Sequence, residues 1–155
     1  MSEEELNKSI DNVTAFMNDF IKEISEDTKF TISKIAKEGL SVIIEGNDVG
    51  FLIGHRGATL YSLQNIISAI ANKGIDKKVI ARLDIKGYKE ARIKTLEDFA
   101  EKMANTVIKT GKPITLEPMK AYERKVIHSK LQNNDKVATK SIGEEPKRKV
   151  VITLK

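Results

Sequence analysis

The chain has 155 residues, 40% of them hydrophobic and 32% charged, which suits one soluble domain of ordinary size or two small ones. It contains no cysteine, which excludes a disulfide framework, a thiolate zinc site and thiol chemistry. The net charge of +5 is unevenly spread: residues 1–46 hold 5 Lys/Arg against 10 Asp/Glu, whereas residues 47–155 hold 22 against 12, the balance expected of a polyanion binder. The opening MSEEELNKSI is acidic and lacks the apolar stretch of a secretory signal. No apolar run approaches the ~20 residues that span a bilayer, so the expectation is a cytoplasmic protein without membrane insertion.

Over residues 6–24, Leu6, Ile10, Val13, Met17, Phe20 and Ile24 recur at spacings of three and four. They form one stripe of an amphipathic helix, which either packs on its own domain or makes a dimer seam. Two strands follow: Phe30 and Ile32 alternate with Thr31 and Ser33, then Leu40, Val42 and Ile44 alternate with Ser41 and Ile43. Lys37-Glu38-Gly39 between them suits a hairpin turn with glycine at positive φ. The glycine-punctuated segment 46–57 leads into a helix marked by Leu60, Leu63, Ile67 and Ile70 and stopped by Gly74. Val79, Ala81, Leu83 and Ile85 alternate as a third strand. The order to this point is helix, strand, strand, helix, helix, strand.

Gly87 separates this half from a long helix carrying Ile93, Leu96, Ala100, Met103 and Val107, ended by Gly111 and Pro113. Ile114-Thr115-Leu116 reads as a short strand. Pro118 stands where a first helical residue is favoured, and that helix runs to about Leu131. After a polar turn over 132–136, strands near 137–141 and 149–154 complete the chain.

The segment Ile53-Gly54-His55-Arg56-Gly57 opens a helix, and free amides at a helix N-terminus attract anions. Glycine, lacking a Cβ, lets a phosphodiester approach the main chain, and Arg56 with His55 would add charge there. No Lys-Ser/Thr follows the last glycine and no G-x-G-x-x-G is present, so a nucleic-acid backbone fits better than a free triphosphate. Taken alone, the pattern is equally an ordinary tight turn. In its setting, GNDVGFLIGHRGATLYSLQNIISAI closely resembles a bacterial-type (type II) KH domain, whose G-x-x-G loop clamps about four nucleotides of single strand. That resemblance implies backbone contact from Gly54, His55, Arg56 and Gly57, with Ile53 beside an aliphatic groove. With only 3 Tyr and 5 Phe and no aromatic cluster on a strand, modules that stack bases on a sheet fit less well.

Farther on, Lys120, Arg124 and His128 stand at i, i+4 and i+8, one exposed stripe, while Met119, Tyr122, Val126 and Leu131 are free to face inward. Taken alone, this is either a phosphate-binding face or a solvated one whose charge Glu117 and Glu123 moderate. Leu116-Glu117-Pro118-Met119, the Glu123-Arg124 to His128 stretch, then Thr139-x-Ser141-x-Gly143-Glu144-Glu145-Pro146-x-Arg148 resemble an R-three-H domain. The family signature, Arg-x-x-x-His, falls on Arg124 and His128, and the resemblance implies nucleic-acid contacts from Arg92, Lys120, Arg124, Lys125, His128 and Arg148. Lys147 and Lys149 flank Arg148. Tyr88-Lys89-Glu90-Ala91-Arg92 matches the start of the family's long helix, with Lys89 in the place of an arginine; the charge is kept and the bidentate fork lost.

The tandem resembles the Jag (SpoIIIJ-associated, KhpB/EloR-like) family over residues 28–155. The expected fold class is α+β, with an N-terminal helix at 1–27, a KH domain at 28–86 and a small α+β R-three-H domain at 87–155. Family members commonly carry a further N-terminal module, and roles tied to that module are not carried over to this chain. The resemblance implies a bacterial single-stranded RNA-binding regulator or RNA chaperone linked to cell-shape, division or sporulation control. Single-stranded DNA is the alternative ligand. The alternative role is an adaptor whose KH unit forms a homodimer, or a heterodimer with a small KH protein.

An enzyme is not expected. His55 and His128 are far apart and neither lies in H-E-x-x-H spacing. His128 and Ser129 are helix neighbours pointing about 100° apart, which is poor geometry for a nucleophile and its base. Asp84, Glu97, Asp98 and Glu101 read as surface charges rather than a two-metal cluster. No catalytic residue, metal, cofactor or small-molecule substrate is therefore assigned.

Overall fold

The computed structural model describes residues 2–35 and 39–155, which form two compact units, Met1–Lys89 and Glu90–Lys155. In the first, helix α1 (Glu3–Lys22) begins with a reciprocal cap. The Glu5 N–H donates to Ser2 Oγ at 3.2 Å, and the Ser2 N–H donates to Glu5 Oε2 at 2.9 Å. Leu6, Val13 and Met17 are buried in the same core as the sheet, with Ile10, Phe20 and Ile24 packed against it. The apolar stripe is thus used within its own unit, and the dimer-seam alternative for it falls away.

Strand β1 (Lys29–Ile35) pairs antiparallel with β2 (Gly39–Glu45), and β3 (Ile80–Ile85) runs parallel on the other side of β2. The turn expected at Lys37-Glu38-Gly39 lies outside the described residues at its first two positions. Gly39 itself is not at positive φ; it is the first residue of β2 and pairs with Ile35. Between β2 and helix α2 (Ala58–Ala71) come two 3₁₀ turns, Gly50–Leu52 and His55–Gly57. In place of the expected helix pair there are two 3₁₀ turns and one full helix, with Gly54 at φ 69° redirecting the chain between the turns.

Polar side chains of α2 and of Asn72 just after it cover the backbone of edge strand β3 and of Val79 just before it. The Leu83 N–H donates to Gln64 Oε1 at 3.0 Å, and Asn72 exchanges bonds of 2.7 and 2.8 Å with Val79. The C-terminal end of α2 is tied to α1. Ser9 Oγ donates to the Ala71 carbonyl at 2.6 Å, and Lys8 and Asn12 donate to the carbonyls of Gly74 and Lys73.

The second unit contains most of helix α3 (Tyr88–Thr110), then β4 (Ile114–Thr115), α4 (Ala121–Leu131), β5 (Val137–Ile142) and β6 (Lys149–Leu154). Its sheet is antiparallel in the order β4-β6-β5. Leu96, Ala100, Ala104 and Val107 pack with Ile127, Leu131, Val150 and Ile152, whereas Ile93 stays 37% exposed. Helix α4 starts at Ala121 rather than at Pro118. Bonds from the Leu116 N–H to the Val150 carbonyl (2.9 Å) and from the Met119 N–H to the Arg148 carbonyl (3.2 Å) keep 116–119 beside β6. The Glu123 carboxylate then caps the Lys120 N–H at 3.1 Å.

Candidate nucleic-acid interface

In the first unit the loop is shaped by backbone conformation. Gly54 (φ 69°) and Gly57 (φ 79°) are left-handed, and so is Arg56 (φ 51°, ψ 33°), a strained position for a residue with a Cβ. A Cβ on Gly54 would come within 2.9 Å of the Thr59 nitrogen, and one on Gly57 within 2.8 Å of the Tyr88 ring and 3.0 Å of Tyr61. Space inside the loop therefore requires both glycines. Ile53 is half-buried against the core, Gly57 is buried, and His55 and Arg56 are exposed. The first turn of α2 has no carboxylate and no side-chain cap, and its positive end lies beside the exposed His55 and Arg56 side chains.

Three neighbours of this loop were not singled out by sequence pattern. Phe51 lies in the preceding 3₁₀ turn with 63% of its surface exposed. Tyr61 and Tyr88 pack around Gly57, and Lys89 sits 5.7 Å over the Tyr61 ring while donating to Gln64 Oε1 at 2.9 Å. Burial lowers the Lys89 pKa from its usual value, so this lysine is engaged inside the first unit. Packing against glycine, not spacing along the chain, is the signal that finds the two tyrosines.

In the second unit the expected exposed stripe is corrected. Arg124 is buried: one guanidinium nitrogen donates to the Met119 carbonyl and another to Glu145 Oε1, both at 2.6 Å. Glu123 is not a solvated counter-charge. It is 3% exposed, accepts from Arg92 Nε at 2.8 Å through one oxygen and caps Lys120 through the other. Arg92 is thus paired between α3 and α4. The buried residues of α4 are Glu123, Arg124, Ile127 and Leu131; of the expected inward set, Leu131 is buried, Met119 and Val126 pack against the core, and Tyr122 is half-buried. Pairing makes the two buried charges tolerable there.

His128 is half-buried and hydrogen-bonded through Nδ1 to Thr139 Oγ1. Burial, with the Arg124 charge beside it, pushes its pKa below the ordinary value near 6.5 and so disfavours its charged form. Lys120, Lys125 and Arg148 are exposed, with Arg148 Nε donating to Ser141 Oγ at 3.0 Å. The structure brings Arg124, His128 and Arg148 into one neighbourhood, but only the last presents its charge at the surface. Glu145 and Thr139, the partners of the signature pair, were missed as partners because each lies on a different element.

No helix among the described residues is long and apolar enough to cross a membrane. The same residues show no cluster of three or more His, Asp or Glu suited to a metal ion. Glu101 pairs with Lys130 at 2.8 Å, and Asp84 accepts the Lys89 N–H.

A family model described as the KH domain of KhpA/KhpB matches residues 12–85, and an R-three-H domain model matches residues 94–154. The chain is 46% identical over 116 residues to the RNA-binding protein KhpB of Clostridium symbiosum, covering 75% of this chain and 52% of the relative. It is 36% identical over 122 residues to that of Bacillus subtilis, covering 77% and 59%. It is 28% identical over 151 residues to that of Streptococcus pneumoniae serotype 2, covering 96% and 46%. The chain spans about half the length of these relatives. Two domain matches in this order, over the two compact units, place the chain in the KhpB (Jag) family: an α+β protein with a KH domain followed by an R-three-H domain.

Proposed function

We propose that this protein binds single-stranded RNA with both units and acts as a post-transcriptional regulator or RNA chaperone in the cytoplasm. The observation that carries the reading is the start of α2: left-handed glycines, exposed His55 and Arg56, and a helix end without a carboxylate. A phosphate there meets the positive end of α2 and the exposed Arg56 and His55 side chains, and exposed Phe51 offers a ring on which a base can stack. The relatives named RNA-binding support the same ligand class. In the second unit, exposed Lys120, Lys125 and Arg148 are the contact candidates that remain once Arg124 and Arg92 are seen to be paired inside. Contacts made mainly to the backbone give mild sequence preference and a salt slope of about −0.7 per neutralised phosphate.

Fluorescence anisotropy with single-stranded RNA, single-stranded DNA and duplex RNA tests the reading. Single-stranded RNA should bind in a salt-sensitive manner, and His55→Asp/Arg56→Asp should weaken it at least about tenfold. Equal binding by that variant, or none by the wild type, contradicts the reading; tighter binding to single-stranded DNA shifts the ligand.

A second reading is that the KH unit pairs with another KH unit, its own copy or a smaller KH protein. Ile66 and Ile80, 51% and 58% exposed, favour it, since both are large apolar side chains left at the surface of the first unit. Light scattering at tens of micromolar decides its homodimer form.

A further inference from the structure

We propose that Arg124 and His128 act on nucleic acid at second hand: they pin the 143–148 loop and β5 to α4, and the phosphate contacts fall to Lys147 and Arg148 on that loop. The proposal rests on the RNA-binding reading above and assigns its second site. Arg124 spans two segments, donating to the Met119 carbonyl ahead of α4 and to Glu145 in the loop, with 9% of its side chain exposed. His128, one turn on, holds Thr139 of β5, whose strand position faces the helices because it pairs with buried Ile152.

The loop is stitched at further points. The Lys147 N–H donates to the Glu144 carbonyl at 2.8 Å, the Met119 N–H to the Arg148 carbonyl at 3.2 Å, and Arg148 Nε to Ser141 Oγ at 3.0 Å. Lys147 and Arg148 are exposed, and Lys149 is half-buried beside them. Pairing with Arg124 cancels the charge of Glu145, which leaves the loop and its flank net positive.

Direct phosphate contact by Arg124 would require breaking two charge-assisted bonds and leaving Glu145 without its partner. Exposed Lys147 and Arg148 reach a phosphate without that cost. The fixed frame explains why a buried arginine matters to a surface function: it sets where two other cations stand.

The two roles predict opposite signs for Glu145. Electrostatics alone says that removing a carboxylate from a basic surface, and releasing Arg124, tightens binding to a polyanion. A pin says that binding weakens. The experiment measures anisotropy of a short labelled oligouridine with the full chain, at several salt concentrations, with thermal melts confirming that each variant is folded. Glu145 is 59% exposed, so its variants should fold. Glu145→Ala should weaken binding about threefold. Glu145→Gln, which keeps an acceptor for Arg124, should stay closer to the wild type.

The salt slope of Glu145→Ala should fall toward that of Lys147→Ala/Arg148→Ala, although no cation has been removed, and adding it to that pair should cost nothing more. A merely destabilising change would leave the slope unaltered. Equal tightening by Glu145→Ala and Glu145→Gln, or no change in either, overturns the proposal while the wild type still binds. Failure of the wild type to bind overturns the proposal together with the reading on which it rests.

Discussion

The two candidate sites are built from different materials. Around Gly54 and Gly57 the shape comes from the main chain: left-handed glycines, a 3₁₀ turn and a helix end without a side-chain cap, with His55 and Arg56 on the outside. Around Arg124 it comes from side chains, three of them charged and largely inside: Arg92, Glu123 and Arg124 tie two helices and a loop before any charge reaches solvent. The first site should therefore be sensitive to changes of conformation, and the second to changes of partner.

The largest expected break in that contrast is at Glu123. Glu123→Ala leaves Arg92 without its carboxylate and the Lys120 N–H without its cap, and should lower stability by about 3 kcal/mol in urea unfolding. Only a shift below about 1 kcal/mol would suit a solvated surface glutamate. Next is Gly57→Ala, for which the left-handed backbone alone costs about 1–2 kcal/mol, with the Tyr61 and Tyr88 contacts in addition. An unchanged unfolding midpoint would mean that the loop relaxes freely. By the same logic, a charge-preserving Arg56→Lys should matter far less than Gly57→Ala.

The smallest effect is the pH dependence from His128. Its folded pKa lies below the unfolded value near 6.5, so the unfolded chain takes up the proton first. The stability it contributes is therefore complete above about pH 6.5 and declines as pH falls from there through the folded value. His128→Gln should remove that part of the decline below about pH 6.5, in urea midpoints, and leave the rest. A midpoint that rose on acidification would reverse the assignment.

What could be read from the sequence follows the same division. The α1 stripe, the strand alternation of Leu40, Val42 and Ile44, and the Gly54 to Gly57 loop are local patterns, and the structure contains each of them. The inward face of α4 is not local. Val126 and Leu131 of the expected inward set do meet the core and Tyr122 is half-buried, but Glu123 and Arg124 are also inside, because they find partners there. Those partners, Arg92 and Glu145, lie 31 and 21 positions away along the chain, beyond the reach of any helical period. Pro118 misled for a similar reason, since it marks the approach to a helix that the Glu123 cap delays until Ala121. Gly39 shows the converse: a glycine beside a turn can simply be a strand residue, placed where a Cβ would crowd the Ile35 carbonyl at 3.0 Å.

The most direct test of two RNA sites built in these two ways is an amide and arginine side-chain nuclear magnetic resonance titration of the full chain with short single-stranded RNA. The expected result is two separate groups of shifted signals, one over residues 54–60 and one over 143–149, while the Arg124 side chain keeps its Glu145-bonded signal. Shifts confined to one unit, or an Arg124 side chain that moves onto the RNA, would contradict the account.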